Sequence, residues 1–422
     1  MEQKAFSNVL SYLVFLSTIS IVIISLFAII FPGFFISIYF PYNVEIDPFE
    51  PSIWLIPVSS FSFVFLVLGF VYYKRKLPVQ VYKCIQFILN FEISKRITVI
   101  LGIIIFVFYI GFSVNELSIN EDGQFPDDYD ILMTALQIWP STESDDIYVS
   151  PCSQGDRKCL MVQEQNSRYV RMLLLVSSIE IFQNIKILPF VASISLLIVT
   201  FFLTYQISHK RFSGIVALLI ILQSHTFLFF DTVAVFENFW ILFFLISLYL
   251  INRKWQLSSI LYLLALFSKA FIFVFFLSTI FYIYRARISS RKKIWAMCSY
   301  GGVILIILTV FSFGDSVYGD IINISGSEFF LALNTLGYTL RYDVFIILSL
   351  LPVTIGLFFT SRRGFLQADS ILILILASLL AGPFISMLTG FYLQQVVVMP
   401  YRFLPLIVFV AIGIGVFLSK KN

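Results

Sequence analysis

The chain has 422 residues, of which 59% are hydrophobic and only 12% are charged. A soluble globular domain carries roughly twice that charged fraction, so the composition excludes a water-soluble fold. The formal net charge of +4 is small and indicates no nucleic-acid partner, so the information lies in where the basic residues stand.

Apolar runs recur along the whole chain and predict an all-α, polytopic transmembrane bundle. About twelve of them suit helices that cross ~30 Å of hydrocarbon, although the seventh is short for a full crossing. They cover residues 10 to 31, 53 to 73, 97 to 113, 187 to 206, 213 to 230, 236 to 252, 256 to 267, 270 to 284, 294 to 312, 343 to 360, 369 to 388 and 402 to 419.

Basic residues gather in the loops at one side of these runs. The clusters are Lys74-Arg75-Lys76, Lys95-Arg96, Lys210-Arg211, Arg253-Lys254, Arg285 to Lys293, Arg362-Arg363 and Lys420-Lys421. Basic residues in short loops mark the cytoplasmic side, so an even number of spans with both termini in the cytoplasm is expected. The opposite loops are acidic, most densely between Glu116 and Asp156.

We expect one transmembrane domain at 97 to 422, preceded at 1 to 96 by two additional spans and an interfacial segment. Residues 78 to 95 mix apolar and basic side chains, which predicts a helix lying along the cytoplasmic interface. The large external loop runs from 114 to 186. Its later part, Arg168 to Lys186, places apolar residues at helical spacing among polar ones and predicts an amphipathic helix on the outer leaflet.

Two of the four cysteines, Cys152 and Cys159, fall in this external loop with polar residues between them. Cysteines outside the cytoplasm are typically oxidised, so the spacing indicates a small disulfide-closed loop. The alternative is a pair of free thiols.

The first candidate site is the acidic motif that contains Asp127, Asp128 and Asp130, directly before an apolar helix predicted at 131 to 138. A carboxylate held at a membrane surface can act as general base towards an acceptor hydroxyl or amide. The alternative is a solvated acidic loop in which Asp127 or Asp128 caps the following helix.

A second candidate lies between the fifth and sixth predicted spans, where Asp231 and Glu237 stand six residues apart. Carboxylates between membrane helices are costly unless they are solvated, paired or bound to a cation. Together with Asp128 they are oxygen ligands suited to a divalent metal such as Mg²⁺ or Mn²⁺. A solvated connecting loop with a helix cap explains them equally well, and His225 nearby suits either substrate binding or a hydrogen-bonded interfacial role.

The third signal is basic residues inside or beside apolar runs. Lys269 interrupts the run before it and Arg402 opens the last span, while Arg341 is a weaker example of the same pattern. An unpaired cation near hydrocarbon costs a few kcal/mol, by roughly the insertion scales, so an anionic headgroup would compensate these residues. Snorkelling towards water, or an ion pair with an external carboxylate, is the structural alternative.

Some chemistries have no residues to carry them. The chain lacks a glycine-rich phosphate loop and zinc-ligand spacing, and its two histidines, His209 and His225, are predicted on opposite sides of the membrane. These absences disfavour a cytoplasmic nucleotide-driven enzyme and favour a donor carried by lipid.

The order of these features resembles the GT-C superfamily of membrane glycosyltransferases, which includes protein O-mannosyltransferases and aminoarabinose transferases. The similarity covers about residues 97 to 420. It begins with a span at 97 to 112, the motif Asp127-Asp128-Tyr129-Asp130 and a surface helix at 131 to 138. In the family this motif holds the catalytic carboxylate.

Later elements continue the resemblance. An interfacial segment at 184 to 189 leads into a helix that ends at Tyr205, and the acidic motif from Asp231 to Glu237 is followed by Phe239-Trp240. A short helix pair is interrupted by Lys269, and Arg402 leads the last helix, where the family contacts donor phosphate. The chain departs from the family in its two preceding spans, its Asp-Asp pair where Asp-Glu is usual, and its lack of a large soluble C-terminal domain.

The resemblance implies transfer of a sugar from a polyprenyl-phosphate or dolichol-phosphate donor to an external protein, glycan or lipid acceptor. The membrane would be a prokaryotic plasma membrane or an endomembrane, with the active site external or luminal. Two alternatives of other classes remain open: a non-catalytic transporter or flippase of an anionic lipid-linked substrate, and a structural subunit of a membrane complex.

Overall fold

The computed structural model describes residues 2–39, 47–74, 76–139, 157–313, 326–340, 343–389 and 400–419. Within these ranges the regular secondary structure is entirely helical, which confirms the predicted all-α class.

The helices of the described residues are numbered in chain order. They are α1 Glu2–Ile30, α2 Gly33–Tyr39, α3 Leu55–Tyr73, α4 Val79–Asn90, α5 Lys95–Ser113, α6 Pro126–Ile138, α7 Arg157–Asn166, α8 Tyr169–Phe182, α9 Ile187–Ser208, α10 Arg211–Leu222, α11 His225–Phe229, α12 Phe239–Ile251, α13 Trp255–Ser268, α14 Phe276–Arg285, α15 Ser290–Phe313, α16 Gly326–Leu340, α17 Val344–Arg362, α18 Gln367–Thr389 and α19 Leu404–Phe417. Short 3₁₀ helices cover Val114–Ser118, Ala270–Phe275 and Pro400–Phe403.

Seven helices of the described residues are long and apolar enough to cross a membrane, so the chain is a multi-pass membrane protein. They are Asn8–Ile30, Leu55–Tyr72, Lys95–Ser118, Ile187–Ser208, Ser290–Thr309, Val344–Arg362 and Gln367–Leu388. Five shorter apolar helices coincide with the remaining predicted runs: Arg211–Leu222, Phe239–Ile251, Trp255–Ser268, Ala270–Arg285 and Tyr401–Phe417. Twelve crossings, and the side on which the termini lie, remain predictions.

The shorter helices end within the bundle, so the backbone N–H and C=O groups at their ends need other hydrogen-bond partners there. Helix α10 has 12 residues, which extend over only about 18 Å at 1.5 Å per residue. Where it ends, the Ser224 hydroxyl accepts from the Phe227 amide at 3.1 Å and donates to Asp343 at 2.6 Å. Backbone at membrane depth is tolerated when protein groups satisfy it in this way, so polar residues collect at these breaks.

Helix α19 occupies the centre of the bundle, and its two termini mark the two ends of the bundle. It packs against α9, α10, α17 and α18, and all residues from Leu404 to Ile412 are buried. Just beyond its C-terminus, the carbonyl of Leu418 accepts from Lys210 Nζ at 3.1 Å. This end, which also carries Lys95 at the start of α5, is called the basic end. The distal end is the opposite one, where Arg402 precedes α19 and α5 finishes at Ser113.

Two predicted interfacial helices are present. Helix α4 lies within the segment predicted at 78 to 95 and contains no buried residue, while its position on the membrane interface remains a prediction. Helix α8 matches the helix expected after residue 168, but Arg171 does not lie on its exposed polar face. Arg171 is fully buried, whereas Leu173 is 55% exposed and Ile181 69% exposed. The charge therefore points into the protein and several apolar side chains point outward.

The N-terminal helices pack against later helices of the chain. Helix α1 packs along α16, α17 and α18, and α3 packs against α17. Ser11 of α1 donates to Asp369 of α18 at 2.5 Å, and Arg285 of α14 lies 3.0 Å from the same carboxylate oxygen. This buried network joins the first predicted span to the later helices.

Candidate functional site

A loop at residues 230 to 238 joins α11 to α12 at the distal end and organises the candidate site. It contains the two predicted carboxylates, Asp231 and Glu237, which are 0% and 2% exposed. The solvated-loop alternative does not hold for this segment, because both carboxylates are inside the protein. They have different sets of partners on the two sides of the loop.

Asp231 faces α5 and α9. Its carboxylate accepts from the Ser113 hydroxyl at 2.6 Å, and its backbone carbonyl accepts from the Ser193 hydroxyl at 2.6 Å. Burial raises the pKa of the Asp231 carboxyl to about 7, even though the Ser113 hydrogen bond opposes that shift. We therefore expect Asp231 to change protonation near neutral pH.

Glu237 is paired with a buried arginine from α8. The Nε atom of Arg171 lies 3.4 Å from Glu237 Oε1. Arg171 also donates to the carbonyl of Val235 at 2.8 Å and to the side chain of Gln165 in α7. A buried ion pair of this kind is sensitive to loss of either partner, so Arg171 ties α7, α8 and the loop together.

Glu121 holds the same loop through its amides. Its two carboxylate oxygens accept from the backbone amides of Ala234 at 2.7 Å and Val235 at 3.1 Å. Burial raises the pKa of the Glu121 carboxyl, while these two hydrogen bonds and Lys186 act in the opposite direction. Sequence reasoning treated Glu121 only as one member of an acidic loop. No local signal separates it from Asp122, which is exposed.

Lys269 and Arg402, predicted separately, meet at Tyr401. Lys269 stands at the break between α13 and the 3₁₀ helix Ala270–Phe275 and is 5% exposed. Its Nζ lies 3.9 Å from the Tyr401 ring centroid and 5.1 Å from that of Trp240. Arg402 Nε donates to the Tyr401 hydroxyl at 3.3 Å. Aromatic faces stabilise cations in such positions.

Two further arginines, Arg168 and the buried Arg171 described above, extend this group of cations. Arg168 precedes α8 and forms an ion pair with Glu164 of α7. Burial alone would raise the pKa of the Glu164 carboxyl. The pKa is nevertheless below its ordinary value, because the positive charges of Arg168, Arg402 and Lys269 lower it. The three cations therefore act on one carboxylate from three separate elements.

We call these residues the cation cluster. Its members are Arg168, Arg171, Lys269 and Arg402, with Glu164, Glu237 and Tyr401 among them. Among the described residues the cluster contains four cations and two carboxylates, and guanidinium and ammonium groups gathered in this way suit an anion with more than one negative oxygen. Sequence reasoning missed Arg168 and Arg171, because it assigned that helix to the outer surface.

The predicted aspartates lie at the start of α6. Asp127 and Asp130 are exposed and Asp128 is half-buried. Pro126 opens the helix, and its first turn contains Asp127 and Asp128, where carboxylates interact favourably with the helix dipole. Phe125 is the N-cap residue and no side chain caps the helix, so the capping alternative is wrong, while the general-base role stays a prediction.

Aromatic contacts connect the start of α6 to the cation cluster. The ring of Phe125 lies 5.0 Å from that of Phe236, and Phe236 stacks on Tyr401 at 4.5 Å. Phe125, two residues before Asp127, and Tyr401 thus pack against the same aromatic side chain of the loop.

The remaining predicted site residues have separate positions. His225 is exposed and its ring lies 5.9 Å from Phe229. Arg341 lies outside the described residues. Cys159 is disulfide-bonded, whereas Cys152, its predicted partner, lies outside the described residues.

The metal site predicted at Asp128, Asp231 and Glu237 has no support from the geometry. Among the described residues there is no group of three or more His, Cys, Asp or Glu side chains that could hold a metal ion. Asp231 is engaged with Ser113 and Glu237 with Arg171.

Comparison of the chain with protein-family models, with curated proteins and with solved structures found no match. The resemblance to GT-C glycosyltransferases therefore depends on the order and placement of the residues described above.

Proposed function

We propose that the chain is a GT-C-type membrane glycosyltransferase that transfers a sugar from a polyprenyl-phosphate donor to an acceptor at the distal end of the bundle. The cation cluster is the observation that supports this proposal. Lys269 and Arg402 reach it from different helix breaks, and cations gathered inside a membrane protein favour an anionic ligand.

In this proposal the donor phosphate binds at Lys269 and Arg402. Negative charge accumulates on that phosphate when the bond from the anomeric carbon to the phosphate oxygen breaks. Cations that are already fixed in place stabilise this charge without reorganisation. Tyr401 would position both cations, and Glu237 would hold Arg171 in the same cluster.

The acceptor hydroxyl or amide would lose its proton to Asp127 or Asp128 as it attacks the anomeric carbon with inversion. The bond to the leaving phosphate breaks in the same step. Asp231, which lies on the other side of the 230 to 238 loop, would orient the acceptor, and His225 and Arg341 would contact the substrates. No step of the proposed reaction is assigned to a metal.

The distal end would face the exterior of a prokaryotic cell or the lumen of an endomembrane. The basic end would then be cytoplasmic, as the positive-inside rule predicts. Acceptors of this type are proteins, glycans or lipids.

The test is transfer of radiolabelled sugar from a polyprenyl-phosphate donor in proteoliposomes that contain the full chain. We expect transfer by the unchanged chain and by the control Asp122→Asn, and loss of transfer in the double variant Asp127→Asn, Asp128→Asn. Thermal unfolding of each variant would show that it is folded.

Full activity of the double variant would reject the assignment of the base. Donor that binds and crosses the bilayer without sugar transfer would replace the transferase with a carrier of lipid-linked anions. If the donor neither binds nor reacts, the proposal as a whole is wrong.

A further inference from the structure

A cavity lies at the basic end, away from the cation cluster. It has a volume of about 240 Å³ and is bordered by the end of α9, the start of α10 and the segment that follows α4. Its lining includes Glu92, Tyr205, His209, Arg211 and Phe365. None of these residues has a part in the proposed sugar transfer.

Two residues of the cavity lining, His209 and Phe365, hold Arg287 beside the cavity. Arg287 Nη1 lies 2.6 Å from His209 Nε2, and its guanidinium carbon lies 6.0 Å from the Phe365 ring centroid. Burial and the neighbouring Arg287 lower the pKa of His209, so its ring is neutral at pH 7 and accepts the hydrogen bond. Within the described residues Arg287 has no carboxylate in ion-pair contact.

Arg211 adds a second positive charge to the cavity lining. Its only ion pair among the described residues is with Glu92 at 3.8 Å, and the two side chains are 36% and 38% exposed. An ion pair this long and this accessible contributes little free energy, so its guanidinium can take another anion. Arg211 and Arg287 together outnumber the single carboxylate of Glu92, and the cavity attracts negative charge.

The surroundings of the cavity are those of a membrane surface. Asn90, the last residue of α4, also lines it. Helix α4 buries none of its residues, and it leaves Val79 69% exposed and Phe87 66% exposed. Such a surface is typical of a helix at the boundary between headgroups and acyl chains, and this predicted position of α4 would place the cavity beside the lipid headgroups.

We infer that this cavity binds the phosphate headgroup of an anionic phospholipid through Arg211 and Arg287, with His209 and Phe365 holding Arg287 in position. The bound lipid would join α4 to α9 and α10 at the basic end. This inference is independent of the sugar-transfer proposal, because it concerns the other end of the bundle.

The test uses the full chain in a neutral detergent, titrated with short-chain phosphatidylglycerol or phosphatidylcholine. Binding is followed by native mass spectrometry and by the midpoint of thermal unfolding. The test variant is Arg211→Gln with Arg287→Gln. The matched control is Arg253→Gln with Arg363→Gln, which removes two exposed arginines from loops of the same predicted side.

We expect phosphatidylglycerol, but not phosphatidylcholine, to bind the unchanged chain and the control and to stabilise both. The affinity of the test variant should be at least about tenfold weaker than that of the control, since each basic group near an anionic surface contributes roughly a fivefold change. The variant Arg211→Lys with Arg287→Lys restores both charges and should recover part of the binding. That recovery would show that the loss in the test variant is not caused by misfolding.

Equal affinity of the test variant and the control would overturn the inference, because general surface charge would then explain the binding. Equal stabilisation by inorganic phosphate would also overturn it, since the site would then take a soluble anion instead of a lipid.

Discussion

Arg171 and Glu121 bind the same dipeptide through opposite groups. The Arg171 guanidinium donates to the carbonyls of Ala234 at 3.3 Å and Val235 at 2.8 Å. The Glu121 carboxylate accepts from the amides of these same residues, at 2.7 and 3.1 Å. Every hydrogen-bonding group of this dipeptide is thereby satisfied inside the protein. The loop at 230 to 238 is held in one conformation, and with it the positions of Asp231 and Glu237.

Replacing Glu121 by Gln should loosen this loop. A glutamine side chain offers one oxygen and one NH₂ group, so a backbone amide would face a donor in a buried place. We expect a lower free energy of unfolding by about 1–3 kcal/mol, measured as a lower thermal midpoint in detergent. The control is Asp122→Asn, which changes an exposed neighbour and should leave the midpoint unchanged. Equal midpoints for the two variants would show that Glu121 does not hold the loop.

Asp231 should make the stability of the protein depend on pH. Burial raises its pKa from 3.8 to about 7, so the folded state holds a proton that the unfolded state has lost. Its contribution is therefore favourable at low pH and is lost as the pH rises from about 4 to 7. The loss is on the order of 4 kcal/mol.

The variant Asp231→Asn should remove this dependence, since it cannot ionise and can still accept from Ser113. Its gain in stability over the unchanged chain should be small near pH 4 and largest above pH 7. Thermal unfolding across this range is the measurement, with the exposed Asp127→Asn as control. If the stability of Asp231→Asn and that of the unchanged chain changed in parallel with pH, the raised pKa of Asp231 would be contradicted.

The centre of the bundle should not accept a methyl group at Gly415. A Cβ there would lie 2.4 Å from Thr204 Cγ2 and 2.7 Å from the carbonyl oxygen of Ser213. We expect Gly415→Ala to destabilise the fold by about 1–3 kcal/mol through overpacking of α19 against α9 and α10.

Gly302 of α15 is the matched control, because a Cβ there meets nothing within 4 Å. Gly302→Ala should stabilise the helix by up to about 1 kcal/mol through its higher helix propensity. Thermal midpoints of the two variants should therefore move in opposite directions, and a shift of the same sign in both would argue against the close packing of α19.

Loss of one partner of the buried Arg285–Asp369 ion pair should destabilise the packing of α1 against the later helices. Both side chains are almost completely buried, at 2% and 0% exposure. Asp369→Asn removes the negative charge that faces Arg285 and should cost about 3–5 kcal/mol. The double variant Arg285→Met, Asp369→Leu removes both charges and should recover most of that loss in a denaturation experiment. A double variant no more stable than Asp369→Asn would indicate that packing, not charge, determines the effect.

Arg402 should affect catalysis more than folding, if the proposed transfer takes place. Arg402→Gln removes a cation at the donor phosphate and leaves the buried Lys269 and Tyr401 in place. We expect kcat/KM for the polyprenyl-phosphate donor to fall by about a hundredfold or more, measured by sugar transfer in proteoliposomes. The control Arg253→Gln removes an exposed arginine elsewhere and should retain activity. Unchanged transfer by Arg402→Gln would remove this arginine from the proposed donor site.

Sequence analysis located the membrane helices and the ends of the bundle where charges gather. The run predicted at 187 to 206 corresponds to the helix Ile187–Ser208, and the run at 369 to 388 to Gln367–Leu388. It also singled out Lys269 and Arg402 because a cation next to an apolar run is conspicuous. These features are local, since hydropathy depends on residues adjacent in the chain.

Only the tertiary structure showed that Glu121 is buried while Asp122 is exposed, and that the side chain of Arg171 points into the protein. Glu121 is satisfied by Ala234, 113 residues away, and Arg171 by Glu237 on the same distant loop. A charged side chain becomes tolerable inside a membrane protein when a partner neutralises it, and that partner is brought close by helix packing. Hydrophobicity along the chain therefore determined where helices form, whereas long-range pairing decided which charges belong to the interior.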